Sequence, residues 1–536
     1  MATDVGASIM TNIVRGHVPH RSGDIITVPK PHHYMIGRWD LTTLGTDDPV
    51  TTNSHPNPWD YLARVPIIFY GPGFVPSNVA RDEPTDIVNV APTYACLLGM
   101  RGSDFDGRSF GEVCGAPGHR RSPRVIFSVV LDGGGWNVLE QHPQSHPTID
   151  SLRAEGLTYT NATTGSAPTI TGALHATLGT GVYPETHGIP GNQLRTEDGS
   201  NLDSWDNNAD PRFLRAPTIS ELWDERTGNR AVVGTVSYEG WHLGMIGHGS
   251  FRAGGDRDIA VLWDLDDQAW WTNESYYALP AYLRPTDLER LSTYEGRLDE
   301  RDGVVDDSWF GHTLRELRDP RVRPGTPAFV RFTGDAVIDI MREEGLGADG
   351  ITDLFWVEMK MPDYAGHAWN MLRPEQADVL SAVDRQIARF VGELNRSIGR
   401  RNYVLMIGAD HGQEPLPETF GGWRIASGEL EDDIEERFGP VVRKITTAEI
   451  YLEPEALERG EVDPAVIARF LGTYTVGDNI PSDAPGADRV PAARLDDTVF
   501  AGAFSASFIQ SLTPDRVEPF GDGLYPESRL YRDVRG

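Results

Sequence analysis

Basic residues are outnumbered in this 536-residue chain: 48 lysines and arginines stand against 79 aspartates and glutamates, a formal charge of −31. That excess disfavours nucleic acid or an anionic membrane as a surface partner. An anionic small molecule would need a local positive centre, and metal ions are the economical way to make one. Cysteine is nearly absent, with only Cys96 and Cys114. Two cysteines predict no disulfide framework, and neither belongs to a Cys-x-x-Cys metal motif. Cys96, in an apolar helical run, reads as buried packing. No apolar stretch reaches the length of a membrane span. The opening MATDVGASIMTNIVRGH lacks the basic-then-apolar order of a signal peptide, so a cytoplasmic protein is the default expectation. Histidine is missing from one long region: none follows His411.

What is present is the composition of a globular protein, 39% hydrophobic and 24% charged. The length exceeds what one simple core supports, so one large domain with insertions, or two domains, is expected. The 38 prolines and 57 glycines point to many loops. Strand-like runs occur at 24–29, 64–70, 124–131, 157–162, 230–236, 353–359, 403–407 and 445–452. Helical patterns lie over 86–98, 148–155, 217–224, 376–395 and 464–471. The alternation predicts an α/β sandwich with a mainly parallel sheet. Residues 111–123 have the composition of a linker. Residues 240–330 look like an irregular insertion or cap, and about the last 40 residues are loop-rich.

Three of these strands end in metal-ligand residue types. Asp132 closes the run RVIFSVVL, Asp410 and His411 close YVLMIGA, and Asp363 and His367 follow DLFWVEM four residues apart. A spacing of four brings two side chains to one ion if the segment turns helically. One such pair would read as a solvated turn; three at equivalent strand ends make a constellation. Mixed Asp/His ligation suits zinc, with manganese as the alternative. Between the first two lies APTITGALHATL, which puts the hydroxyl of Thr171 where the chain turns into a helix. A helix start favours a bound phosphoryl group, and metal coordination activates a hydroxyl as a nucleophile. N-capping is the commoner role for a Thr at such a place, and Thr169 is a second candidate hydroxyl.

The set LDG (131–133), T-x3-H (171–175), TGVYPETHGIPGN (180–192), Asp363 with His367, and ADHG (409–412) resembles the alkaline phosphatase superfamily. It is most similar to the nucleotide pyrophosphatase/phosphodiesterase branch. The resemblance implies an alkaline-phosphatase-like fold and a dinuclear, normally zinc, centre. By position it gives one ion Asp363 and His367, and the other Asp132, Thr171, Asp410 and His411. It makes Asn192 the donor to a phosphoryl oxygen, and leaves His175 and His187 structural. One further family ligand, a histidine downstream of ADHG, has no counterpart there. The stretches SGDIITVPKP (22–31), SHPNPWDYLARVPIIFYGPG (54–73) and TDIVNVAPTYACLLGM (85–100) look like the family's closing segment. The resemblance then assigns the missing ligand to His55, ahead of the weaker His32 and His33, and implies a circular permutation.

The expected organisation is 1–110 as the permuted piece, 111–123 as linker, 124–239 and 331–536 as the catalytic core, and 240–330 as cap. Related monoesterases place a Lys-x-Arg pair after the strand at 230–236; here Ser237-Tyr238-Glu239-Gly240-Trp241 offers no cation and adds a carboxylate. A diester is therefore expected, with Tyr238 and Trp241 packing its second substituent. A monoester or phosphonate ester is the alternative, and a binding protein on a decayed hydrolase scaffold the non-enzymatic one. Trp263, Trp270, Trp271, Tyr276 and Tyr277 are expected to shape the leaving-group pocket or to pack in the core. Expected partners are a small phosphate ester and, at most, further copies of the chain.

Overall fold

The computed structural model describes residues 5–36, 54–100, 104–115, 121–206, 208–249, 257–481 and 484–512. Residues 116–120 of the expected linker, 250–256 of the expected cap and 513–536 of the tail lie outside them. The N-terminal segment supplies strands β1 (Ile25–Pro29), β2 (Arg64–Tyr70), β3 (Val79–Arg81) and β4 (Thr85–Asp86). The middle of the chain supplies β5 (Val125–Leu131), β6 (Leu157–Thr163), β7 (Val233–Val236), β8 (Ile259–Asp264) and β9 (Ala269–Trp271). Then come β10 (Asp353–Met359), β11 (Tyr403–Ala409), β12 (Val442–Ile445), β13 (Glu449–Leu452) and β14 (Phe500–Ser505).

The main sheet runs β9-β8-β7-β10-β5-β11-β2-β6-β3, with β4 also paired to β6. Its centre, β8-β7-β10-β5-β11, is parallel. The cores of β5 (VIFSVVL), β10 (DLFWVEM) and β11 (YVLMIGA) are buried at every position, as strands covered on both faces must be. From the N-terminal segment, β2 inserts antiparallel between β11 and β6. A second, antiparallel sheet, β12-β13-β1-β14, packs over its own apolar core. Helices α1 (Ala7–Gly16), α2 (Val90–Leu97), α3 (Thr171–Thr180), α4 (Pro327–Glu343), α5 (Met361–Trp369) and α6 (Pro374–Ser397) matter below.

Four expectations change. Cys96 and Cys114 are joined as a disulfide, because α2 and the short turn Gly111–Cys114 pack side by side; Cys96 is therefore not simple packing. Disulfides belong to oxidising compartments, so this bond gives the cytoplasmic default no support. The run at 445–452 spans the turn and second strand of a hairpin, β12 and β13, rather than one strand. The loop-rich tail contains β14. Within 240–330, β8 and β9 form an edge of the main sheet, where Trp263 and Trp270 pack on Phe329 and Phe332 of α4. Their aromatic density is core packing. Among the described residues no helix is long and apolar enough to cross a membrane.

Candidate metal centre

Strand register assembles the site. Leu131, at the end of β5, pairs with Met359 of β10 on one side and Ala409 of β11 on the other. The next residues, Asp132, Lys360 and Asp410, therefore emerge level with one another, at the carboxyl edge where ligands collect in such sheets. Backbone packing keeps these ends close. A Cβ on Gly135 would lie 2.6 Å from Gly412 Cα, and one on Gly133 would lie 3.0 Å from Asp363 Cα. Gly133 also needs its freedom to hold φ at +65°.

Two clusters of ligand type result, each with donor atoms within 4.8 Å of one another. In the first, His411 Nε2 lies 3.3 Å from Asp132 Oδ1 and 3.1 Å from Asp410 Oδ2. Both oxygens are buried without a hydrogen-bond partner. Their sister oxygens are anchored. Asp410 Oδ1 accepts from the N–H groups of Gly133 (3.1 Å) and His411 (2.9 Å). Asp132 Oδ2 meets Lys360 Nζ at 2.9 Å and His242 Nε2 at 3.2 Å. One oxygen held and one left bare beside an imidazole is how outer groups orient carboxylates for a cation. Burial would lower the His411 pKa, but the Asp410 and Asp132 carboxylates outweigh it and raise it well above the ordinary value. The same negative field attracts a metal ion. Thr171, the first residue of α3, places Oγ1 3.4 Å from this His411 Nε2. The cap position belongs to Ile170, so Thr171 is not spent on capping.

The second cluster is His55, Asp363 and His367. The segment after β10 does turn helically, as α5, which puts His367 Nε2 3.3 Å from Asp363 Oδ1. His55 Nε2 reaches the same oxygen at 3.4 Å, although the two residues are far apart in sequence. Its ring is oriented by Nδ1, 2.9 Å from the carbonyl of Thr169. The Thr169 hydroxyl in turn donates to the carbonyls of His55 and of Asn57 (the latter 2.9 Å), so it is engaged in holding the segment. A buried carboxylate completes the anchorage: Glu414 receives Tyr61 Oη at 2.7 Å, Asn57 Nδ2 at 3.3 Å and His32 Nδ1 at 2.9 Å. His32 thus belongs to this network, and His33 bonds the Pro31 carbonyl; neither joins a ligand cluster. The two clusters adjoin, with the His55 and His411 rings stacked 3.5 Å apart. Burial, then the nearby His411, keeps the His55 pKa well below its ordinary value, so its Nε2 is a free ligand atom.

Sequence reasoning missed Lys360. Its ammonium bridges the clusters, 2.9 Å from Asp132 Oδ2 and 2.6 Å from Asp363 Oδ2. Burial opposes ionisation of both carboxyls, yet Lys360 and the neighbouring imidazoles hold them well below the usual range. A signal was available: the chain has only three lysines, Lys30, Lys360 and Lys444, and Lys360 directly follows the strand-like run DLFWVEM, just ahead of Asp363. A third group, His175, His242 and Glu358, lies behind the centre. His175 bonds Glu358 at 2.6 Å and the Thr171 carbonyl at 2.9 Å, which supports the start of α3 from below. His187 bonds Thr177 at 3.1 Å within the same layer.

Of the expected substrate contacts, Asn192 stands at the start of α3, its Oδ1 accepting from Gly172 N at 2.8 Å. That leaves its amide Nδ2 as the outward donor. Tyr238 is buried and packs edge-on against Tyr364 and Phe329. Trp241 donates to Asp203 at 2.6 Å. Between them, burial pushes the Glu239 carboxyl up to about 7, against the pull of Lys360.

Residues 126–465 match the profile of the type I phosphodiesterase / nucleotide pyrophosphatase family. The chain belongs to this family. Among similar proteins, a calcium-transporting ATPase of Myroides odoratus is 23% identical over 64% of this chain and 71% of its own. The alkaline phosphatase PhoV of Synechococcus elongatus is 24% identical over 55% of this chain, which spans only 60% of that relative. The crystal structure of alkaline phosphatase PafA superposes with a TM-score of 0.54 at 17% identity, covering 72% of this chain and 84% of that one. The fold is thus that of the alkaline phosphatase superfamily. In this family member the bare oxygens of Asp132 and Asp410, the oriented imidazoles and the adjoining hydroxyl have the chemistry of divalent-metal ligands; at the second cluster Gln413 Nε2 also bonds Asp363 Oδ1.

Proposed function

We propose that the protein hydrolyses phosphate esters, most readily diesters, with Thr171 as nucleophile and two zinc ions as cofactors. One ion would be held by Asp132, Thr171, Asp410 and His411, the other by Asp363, His367 and His55; manganese is the alternative metal. The observation that carries this reading is the Thr171 hydroxyl at the mouth of a cluster whose Asp132 and Asp410 oxygens lack partners. Bound divalent ions supply Lewis acidity, which lowers the pKa of a hydroxyl and neutralises charge building on phosphoryl oxygens. Thr171 Oγ1 then forms the new bond to phosphorus as the ester P–O bond breaks and the alcohol departs with a proton. Water cleaves the phospho-threonine and restores the hydroxyl. Asn192 Nδ2 donates to a phosphoryl oxygen, and the N-terminus of α3 adds its positive dipole end. With two divalent cations bound, the Lys360 ammonium tips the site further toward an anionic substrate.

Diester preference rests on Ser237–Trp241, which carries no cation and holds the half-buried Glu239, its carboxyl pushed up to about 7. A second reading, a monoesterase or phosphonate hydrolase on the same site, is favoured by the alkaline phosphatase relatives. Turnover of an aryl diester, an aryl monoester and a phosphonate ester by the zinc-loaded protein decides between them. A large excess of monoester turnover refutes the diester assignment. We also infer that the segment 1–110 is the family's closing piece moved to the front. The profile match starts at residue 126, just beyond the linker at 111–123, and β2 sits inside the catalytic sheet. Termini close together at a surface permit such a rearrangement.

A further inference from the structure

A cavity of about 650 Å³ opens on the helical layer between α4, α6 and the segment after helix Leu288–Glu295. None of the proposed metal ligands lines it. Five of its lining side chains are arginines: Arg297, Arg301, Arg331, Arg385 and Arg389. So many cations around one cavity is unexpected in a chain of charge −31.

The carboxylates there do not balance them. Arg301 takes Asp378, with Nε 2.7 Å from Oδ2. Arg331 and Arg389 share Asp335 at 3.2 and 2.7 Å, and Tyr294 Oη also bonds that carboxylate at 2.6 Å. Arg297 and Arg385 have no ion-pair partner among the described residues. Asp384, next to Arg385, is turned inward to accept from the N–H groups of Thr148 (3.0 Å) and Ile149 (2.9 Å). Desolvation first and the nearby Arg301 second lower the Arg385 pKa, against the pull of Asp378 and Asp384. Tyr294, Leu298 and Ala382 give the same cavity an apolar wall. Guanidinium forks match phosphoryl oxygens bidentately, and the volume is that of a small-molecule pocket.

We propose that this cavity is a second, non-catalytic binding site for a phosphorylated small molecule with at least two anionic groups on an apolar body. Arg297 and Arg385 grip the anionic groups, and the wall by Tyr294 and Leu298 takes the body. The lining holds no serine, threonine, cysteine or histidine, so the ligand is bound and not turned over. The inference is independent of which ester the Thr171 site hydrolyses.

The probe is 1,4-benzenediphosphonate, whose P–C bonds resist ester chemistry and whose para geometry disfavours chelation. Titrated into the zinc-loaded protein, it should fill two sites per chain, one at the metal centre and one in the cavity. Arg297→Ser/Arg385→Ser should remove the second, weakening it roughly ten- to hundredfold, while the inhibition constant for ester turnover stays as in the wild type. Neither arginine makes an ion pair, so the melting temperature should hold; Arg385→Gln alone, at an exposed helix position, gives the same test with less disturbance. A single site in the wild type, or two undiminished sites in these variants, overturns the proposal.

Discussion

The two ligand clusters are built in opposite ways. Asp132, Asp410 and His411 are strand ends, fixed by the register of β5 and β11 and by the meeting of Gly135 with Gly412. All three side chains are fully buried. The cluster of Asp363, His367 and His55 takes two residues from successive turns of α5 and one from a distant loop. His367 is 30% exposed, and outside the two clusters His55 is held by Thr169, whose carbonyl meets its Nδ1, while Glu414 anchors the neighbouring Asn57. A centre can therefore combine a residue set that the sheet dictates with one that a sequence-distant loop completes, and the second should fail first.

Changes to the sheet-borne half should be the most severe. Thr171→Ala is expected to cost about 10³-fold or more in kcat while elemental analysis still finds close to the wild-type metal content. Survival of activity would shift the nucleophile elsewhere. His55→Gln should instead separate the halves, leaving the first cluster loaded and emptying the second, so that metal per chain falls from about two toward about one. Loss of both ions together would show that the clusters are not separable. Lys360→Met, which frees the outer oxygens of Asp132 and Asp363 at once, should weaken metal binding about 10- to 100-fold in a competition titration, at both clusters. An effect confined to one cluster would contradict the bridging role. The smallest change is Glu414→Gln: about 1–3 kcal/mol of stability lost in denaturant titration, with the second cluster the easier to strip by chelator. Equal chelator sensitivity of both clusters would remove Glu414 as the anchor of His55.

Much of this was legible in the sequence because it is local. Apolar runs ending in Asp132 and Asp410 announce buried parallel strands with carboxylates at their ends, and the spacing of Asp363 and His367 announces α5. His55 was legible only as a gap, the absence of any histidine after His411, since no local pattern marks a ligand that arrives from a loop. Lys360 was marked only by the rarity of lysine; its partners are set by cross-strand register, which single-sequence periodicity does not encode. The aromatics of β8 and β9 left pocket and core readings open for the same reason. Their company, Phe329 and Phe332, lies on a helix that the sequence gives no reason to place beside them. The Cys96–Cys114 bond likewise depends on two short helices meeting.

The antiparallel strand β2 has a consequence during synthesis. It is made early, yet its neighbour β11 emerges more than 300 residues later. At roughly 5–20 residues per second on the ribosome, the first strand waits roughly 15–70 s for its partner. Throughout that delay RVPIIFY is an apolar edge without its final neighbour, and His55 has no site to complete. Pairing with β6, its other native neighbour, covers one edge early; the nascent chain must keep the opposite edge shielded until β11 leaves the exit tunnel.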